Sequence, residues 1–390
     1  MKVSRYPYPA RAWWGDQLLV QSSSCLCGEA PGELPVLFFP VADVEPGVDL
    51  HAIDGLSECL RPPEPLAELS GHVAFDQDRV LVEVTDEAAG DAPRDVTRKR
   101  FPTWGDAAHL VDVMDVRPTD DNNRSFVTVA RSDERRPVVE GSQLLGQAIV
   151  AAGRYAEERR VVSASMIFLR AADARQPLRL ELADLSSGRT FSGLSVQVFE
   201  GARLCAAGTL LLDVPSEDVI RHASDPPDVA GPYESEPYDM GVTGRDIRVV
   251  GGTYTNEPDT PAGPPVIDAW VRFRDLPDDP PLHAGLLAQF TGHMSLAAAL
   301  RPHEGVSQDQ AHFTLSMAIN SINLSLYAPV RADDWLLYHH CSTFAGAGTT
   351  HAENRVHDLD GALVASFAVD AMVRPLPAGA KGPMDARTAL

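Results

Sequence analysis

The sequence is short of positive charge, of cysteine and of long apolar runs, and each shortage excludes a class of function. The 33 Lys and Arg residues face 55 Asp and Glu, for a formal net charge of -22 at pH 7. Binding nucleic acid means neutralising phosphates with clustered cations, and no such cluster dominates, so nucleic acid is not an expected partner. The basic runs that occur, Arg98-Lys99-Arg100, Arg135-Arg136 and Arg159-Arg160, read as solvated surface, with a second use as footholds for an anionic ligand. The five cysteines, Cys25, Cys27, Cys59, Cys205 and Cys341, are scattered and odd in number, which fits reduced thiols better than a disulfide framework. Cys25-x-Cys27 lacks a second pair at ligand spacing, so no metal and no cofactor are expected. No apolar run approaches the roughly 20 residues of a membrane span, and the first residues carry no apolar signal segment. A cytoplasmic protein with no membrane partner is the expectation. The Gly-rich Ala345 to Gly348 opens no helix and lacks the Lys and Ser or Thr of a phosphate loop.

What the chain does have is enough apolar residues, 44% of 390, to fill more than one core, since single cores stop growing at roughly 250 to 300 residues. Residues 1–95 read as a small mainly-β domain. Ala12 to Val20 is a strand, a turn and a strand, Pro35 to Pro40 is an apolar run bracketed by prolines, and Gly71 to Phe75 with Arg79 to Val84 reads as a hairpin about Asp76 to Asp78. The polar stretch from Asp86 to Arg100 reads as a linker. From there the order is a long apolar helix, Gly141 to Ala152, followed by strands Val162 to Leu169, Leu178 to Leu182, Thr190 to Phe199 and Leu204 to Val214. The same order returns with a second helix, Leu286 to Leu300, and strands Phe313 to Tyr327, Asp334 to Ser342, Thr349 to His357 and Ala362 to Val373. An apolar helix wants to be wrapped, and several antiparallel strands after it suit a curved sheet around it. The expectation is an α+β tandem (double) hot-dog: residues 105–215 and 265–378, joined by a surface crossover over 216–264 that is rich in Pro, Gly and acids.

Several ordered motifs resemble the type II acyl-CoA thioesterase family. Glu140-Gly141-Ser142-Gln143-Leu144-Leu145-Gly146-Gln147-Ala148 resembles its Gly-Gly-Gln-x-x-Gly-Gln-Ala helix start, and Phe168-Leu169-Arg170 its Phe-Leu-Arg strand end. Leu300-Arg301-Pro302-His303 is similar to its Leu-x-Pro-His, and Asp334-Trp335-Leu336-Leu337-Tyr338 to its Glu-Trp-Leu-Leu-Tyr. The ending Asp360 to Ser366 through Met372-Val373-Arg374 matches as well. The first hundred residues resemble a small actinobacterial domain of unknown function through Phe39-Pro40 and Gly71 to Phe75, without that family's Cys-Pro-x-Lys-Gly segment. The resemblance implies hydrolysis of acyl thioesters carried on coenzyme A or acyl carrier protein, with a homodimer as a further expectation.

The family's water-holding Asp, Thr and Gln, however, fall here at Gly292, Ile319 and Val369. None carries over. What stands nearby is polar: Gln289, Thr291 and His293 on or beside the second helix, and Ser321, Asn323 and Ser325 on one face of the strand after it. Hydrolysis needs a positioned water, a base and donors for the oxyanion. His293 is the expected base, with Thr291 or Ser321 as orienter, and Gln289 and Asn323 as substrate contacts. Glu140, one residue before the first hot-dog helix, is a second candidate acid or base, and Gln143 and Gln147 either bind substrate or bridge the halves. The ordinary alternatives are a hydrogen-bonded core histidine and a favourable helix-dipole contact. A hot-dog dehydratase or isomerase, and a non-catalytic acyl-thioester binder, are the rival readings.

Overall fold

The structure is a computed structural model that describes residues 2–6, 8–29, 35–61, 66–77, 79–85, 98–101, 107–130, 138–238, 240, 242, 244–254, 260–311 and 314–376. Met1–Asp106 with Asp239–Thr243 forms one compact unit, and Ala107–Tyr238 with Gly244–Leu390 forms the other.

The first unit holds β1 (Lys2–Arg5), β2 (Ala10–Trp14), β3 (Gln17–Ser22), β4 (Leu26–Glu29), β5 (Val36–Pro40), β6 (His72–Ala74), β7 (Leu81–Thr85) and β8 (Arg98–Arg100). They make two four-stranded antiparallel sheets, ordered β1-β4-β5-β6 and β3-β2-β7-β8. The core alternates as half-buried strands must, with Leu19, Leu37, Phe39, Phe75 and Phe101 among the buried side chains. Two expectations are corrected. β6 and β7 are not a hairpin: β6 pairs with β5 and β7 with β2, because Phe75 and Val80, at the ends of the short connection between them, are both buried and carry the chain from one sheet to the other. The linker ends early, since Arg98–Arg100 pairs with β7. Residues 86–97 of it, like Arg135-Arg136, lie outside the described residues.

The second unit begins with α1 (Ala107–Met114), β9 (Val116–Pro118), β10 (Ser125–Thr128), β11 (Val138–Val139) and α2 (Gly141–Tyr155). Then come β12 (Arg160–Phe168), β13 (Ala172–Asp173), β14 (Leu178–Ser187), β15 (Phe191–Glu200), β16 (Arg203–Asp213), β17 (Glu236–Pro237), β18 (Arg245–Val249) and β19 (Val266–Phe273). The last part holds α3 (Pro280–Phe290), α4 (Ser295–Leu300), β20 (Leu315–Leu326), β21 (Leu336–Gly346), β22 (Thr349–His357) and β23 (Leu363–Pro375). One thirteen-stranded sheet runs β17-β18-β19-β21-β22-β23-β20-β12-β16-β15-β14-β10-β9. Its two halves join at β12 and β20, where Ser163, Ser165 and Ile167 sit opposite Ser325, Asn323 and Ser321. This is the α+β double hot-dog: α2 packs on β12, β14, β15 and β16, α4 on β19, β21 and β22, and α2 against α3. Glycine sets that last crossing. A Cβ on Gly285 would lie 2.6 Å from Val150 and 3.0 Å from the carbonyl oxygen of Gly146, so the two backbones approach more closely than any side chain allows.

The second helix is not continuous. It breaks between Phe290 and Ser295, where Met294 takes a left-handed φ of 64°. Gly292 weakens the helix there, and the Thr291 hydroxyl donates to the Ala288 carbonyl at 2.6 Å, where it competes with the helical pattern. The crossover is also corrected in its middle, because every residue of β18 is buried and the strand pairs with β19. Its charges hid it. Asp246 is nearly buried yet receives Arg272 and Arg274, a pairing that lets carboxylate and guanidinium groups enter a core.

Candidate active site

The break in the second helix opens onto a cavity of about 390 Å³ between the two hot-dog halves. Its walls come from the N-terminus of α2 (Glu140, Gly141, Ser142), the end of β12 (Phe168 to Arg170), the break itself (Gly292, His293, Met294) and the start of β20 (Met317 to Asn320). Leu144, Leu296, Ala297, Met317 and Phe168 make one part of it apolar.

Two expected site residues meet here. His293 is buried and stacks flat on Phe290, with ring centroids 4.7 Å apart. Its Nε2 faces Glu140 Oε1 at 3.9 Å, an approach longer than a hydrogen bond. Glu140 is the N-cap residue of α2, but its side chain makes no capping hydrogen bond to the helix, and the residue lines the cavity. Gln289 stands behind the pair, donating from Nε2 to Glu140 Oε2 at 3.4 Å and accepting from Arg245 Nη1 at 3.1 Å.

The other expected residues are not brought together there. Thr291 is fully buried, and its hydroxyl is spent on Ala288. Ser321 donates to Asp370 Oδ2 at 2.9 Å, and His351 Nδ1 lies 2.6 Å from Oδ1 of the same carboxylate, which holds that carboxyl below its usual range. This cluster spans β20, β23 and β22 and is half-exposed, away from the cavity lining. Asn323 accepts from Ser165 across the seam of the halves. Gln147 does not line the cavity, and its Nε2 donates to the Val113 carbonyl of α1 at 2.7 Å. Gln143 is half-buried on α2 and does not line the cavity. His340 is buried and pushed down to about 3 by desolvation, with His339 and His293 adding to the shift, and it pins α4 through Ser295 at 3.1 Å.

Three residues at the site escaped sequence reasoning. Arg245 and Tyr254 lie in the segment read as crossover. Tyr254 lines the cavity, and burial raises its hydroxyl pKa, with the neighbouring Tyr238 adding to the shift, so it stays protonated. Ser142 is 1% exposed, lines the cavity, and its Oγ has no hydrogen-bond partner among the described residues. A signal for Ser142 existed. It stands where the resembling motif has its second Gly, while Gly292 stands where that family has Asp, and the two positions touch. A Cβ on Gly292 would lie 2.8 Å from Ser142 Cβ and 3.2 Å from Ile319 Cδ1.

Comparison with known proteins follows the same outline. The profile of the Acyl-CoA thioesterase N-terminal domain matches residues 131–212, and that of the Acyl-CoA thioesterase C-terminal domain matches residues 217–373. The second match starts inside the segment read as crossover. Acyl-coenzyme A thioesterase 8 of Rattus norvegicus is 27% identical over 267 residues, covering 61% of this chain and 80% of that protein. Acyl-CoA thioesterase 2 of Haemophilus influenzae is 25% identical over 254 residues, covering 60% and 87%. The solved structure of acyl-CoA thioesterase II TesB2 from Mycobacterium marinum superposes with a TM-score of 0.58 at 23% identity, covering 70% of this chain and all of that one, a likeness of fold.

Proposed function

The chain belongs to the acyl-CoA thioesterase family, and we propose that it hydrolyses acyl-CoA thioesters with a Glu140–His293 pair in place of the family's water-holding set. The observation that carries this is the approach of Glu140 and His293, from different halves, on the wall of one cavity. A water at about 2.8 Å from each would sit at the apex of the 3.9 Å gap, held by both groups.

His293 Nε2 takes a proton from that water as its oxygen bonds to the thioester carbon, and the carbonyl π pair moves onto oxygen. Glu140 orients the water and stabilises the imidazolium. The oxyanion is met at the N-terminus of α2, where helix geometry leaves the first N–H groups without intrahelical acceptors and favours negative charge. The Ser142 hydroxyl adds a donor there. Collapse breaks the C–S bond, and the imidazolium returns its proton to the departing thiolate. The acyl chain lies against Leu144, Phe168, Leu296 and Met317.

The same pair favours one second reading, a dehydratase or hydratase, because a His and a Glu on one cavity wall could move protons at neighbouring carbons of an acyl thioester. Thiol release with a chromogenic disulfide, across acyl-CoA chain lengths, separates them. Hydrolysis gives free thiol that falls at least tenfold in His293→Ala, whereas hydration of an enoyl-CoA with no thiol would overturn the hydrolase reading. No helix among the described residues is long and apolar enough to cross a membrane. We infer a cytoplasmic protein that pairs as a homodimer.

A further inference from the structure

Arg245 is 2% exposed, on a strand that lies next to β19, and its guanidinium rests over two rings, 4.9 Å from the centroid of Phe290 and 5.8 Å from that of Phe273. A buried guanidinium is costly unless it is paired or hydrogen-bonded, and resting over aromatic rings offsets part of that cost. Its Nη1 donates to Gln289 Oε1 at 3.1 Å. That bond fixes which way the amide points: with its oxygen turned to Arg245, its NH₂ must face the other way, where it meets Glu140 Oε2 at 3.4 Å. Phe290, the ring beneath the cation, is also the ring on which His293 stacks. One buried charge therefore touches the supports of both members of the pair.

We propose that Arg245, acting through Gln289, is a positioning residue that holds the Glu140 carboxylate charged and turned toward His293, an inference that rests on the catalytic pairing above. Among the described residues, Glu140 is faced by His293 from the helix break, Gln289 from α3, and Tyr254, with Arg170 on the cavity rim and Arg245 beside Gln289. Tyr254 is held neutral by its burial and Arg170 is exposed to solvent, so Arg245 is the buried cation nearest the pair among these groups. Removing it makes the Glu140–His293 pair bind its proton at higher pH, whichever member takes it, since a lost neighbouring cation disfavours the carboxylate and favours the protonated pair.

The test compares wild type, Arg245→Met, Arg245→Lys and Gln289→Met by the pH dependence of kcat/KM. The Glu140 carboxyl is followed separately by carbon NMR of glutamate-labelled protein, with the resonance assigned by Glu140→Gln. In Arg245→Met the acid limb and the Glu140 midpoint both move up by about one pH unit. Arg245→Lys restores the limb, because the charge is back, but not full turnover, because the planar donor is missing. Gln289→Met keeps the cation and lowers kcat about tenfold with KM unchanged, and it replaces Arg245→Met should that variant fail to fold. An unmoved Glu140 midpoint in Arg245→Met, or a Gln289→Met enzyme with wild-type kcat, overturns the relay. The NMR arm reads the relay even in protein that releases no thiol, so failure of the hydrolase reading and failure of this inference give different results.

Discussion

Restoring the family's aspartate by Gly292→Asp should damage this protein, and the geometry says how much. The new Cβ would lie 2.8 Å from Ser142 Cβ and 3.2 Å from Ile319 Cδ1. Rotation can move the Ser142 hydroxyl aside, but its Cβ is fixed to the backbone of α2. The overlap must be relieved by shifting the helix or the break, which costs about 1–3 kcal/mol as overpacking does. At about 2–4 °C per kcal/mol for a unit of this size, the melting temperature should fall by about 2–12 °C. Thiol release should fall too, because the shift falls on the segment that aims His293. Ser142→Gly in the same chain removes the obstructing atoms, so the double variant should regain at least half of the lost melting temperature. Scanning fluorimetry beside thiol release reads both quantities. A Gly292→Asp protein as stable as its parent, or one that Ser142→Gly does not rescue, would refute the packing argument; a more active one would show that the family's water site survives here.

Two further outcomes follow from the same structure. Ser321→Ala should leave kcat/KM within about twofold, because Ser321 hydrogen-bonds Asp370 away from the cavity and such surface changes are worth about 0.5 kcal/mol; a large loss would put the outer Ser321–Asp370–His351 cluster into the reaction. His340, buried and pushed down from 6.5 to about 3, stays neutral in the folded protein while the unfolded chain takes up a proton below 6.5. Stability is therefore lost as pH falls through that window, by about 1.4 kcal/mol per unit at most. Urea midpoints for His340→Asn should fall less steeply between pH 7 and 5 than those of wild type, and parallel slopes would show that His340 is not the group responsible.

The repeat of helix and strands was legible because each copy must wrap one apolar helix, and that demand leaves a periodic pattern. Glu140 and His293 were legible as polar residues in apolar company, but their meeting was not, since the pairing of β12 with β20 sets which helix ends share a cavity. The break at Thr291 to Met294 was hidden inside a run of helix-forming residues, with Gly292 as its one mark. β18 was read as surface because Arg, Asp and Arg rarely enter a core, and Arg272 and Arg274, which pair with Asp246, lie across the sheet on and just beyond β19. Thr291 and Ser321 stand outside the cavity lining for a common reason: hydroxyls bond the nearest acceptor, here a carbonyl three residues back and a cross-strand carboxylate.

A double-mutant cycle on kcat/KM for thiol release tests most directly whether Glu140 and His293 act as one catalytic unit. Each of Glu140→Gln and His293→Ala should cost on the order of 10²-fold, and the double variant should be no worse than the poorer single one, as for residues that work together. Losses that simply multiply, or a Glu140→Gln enzyme with wild-type turnover, would contradict it.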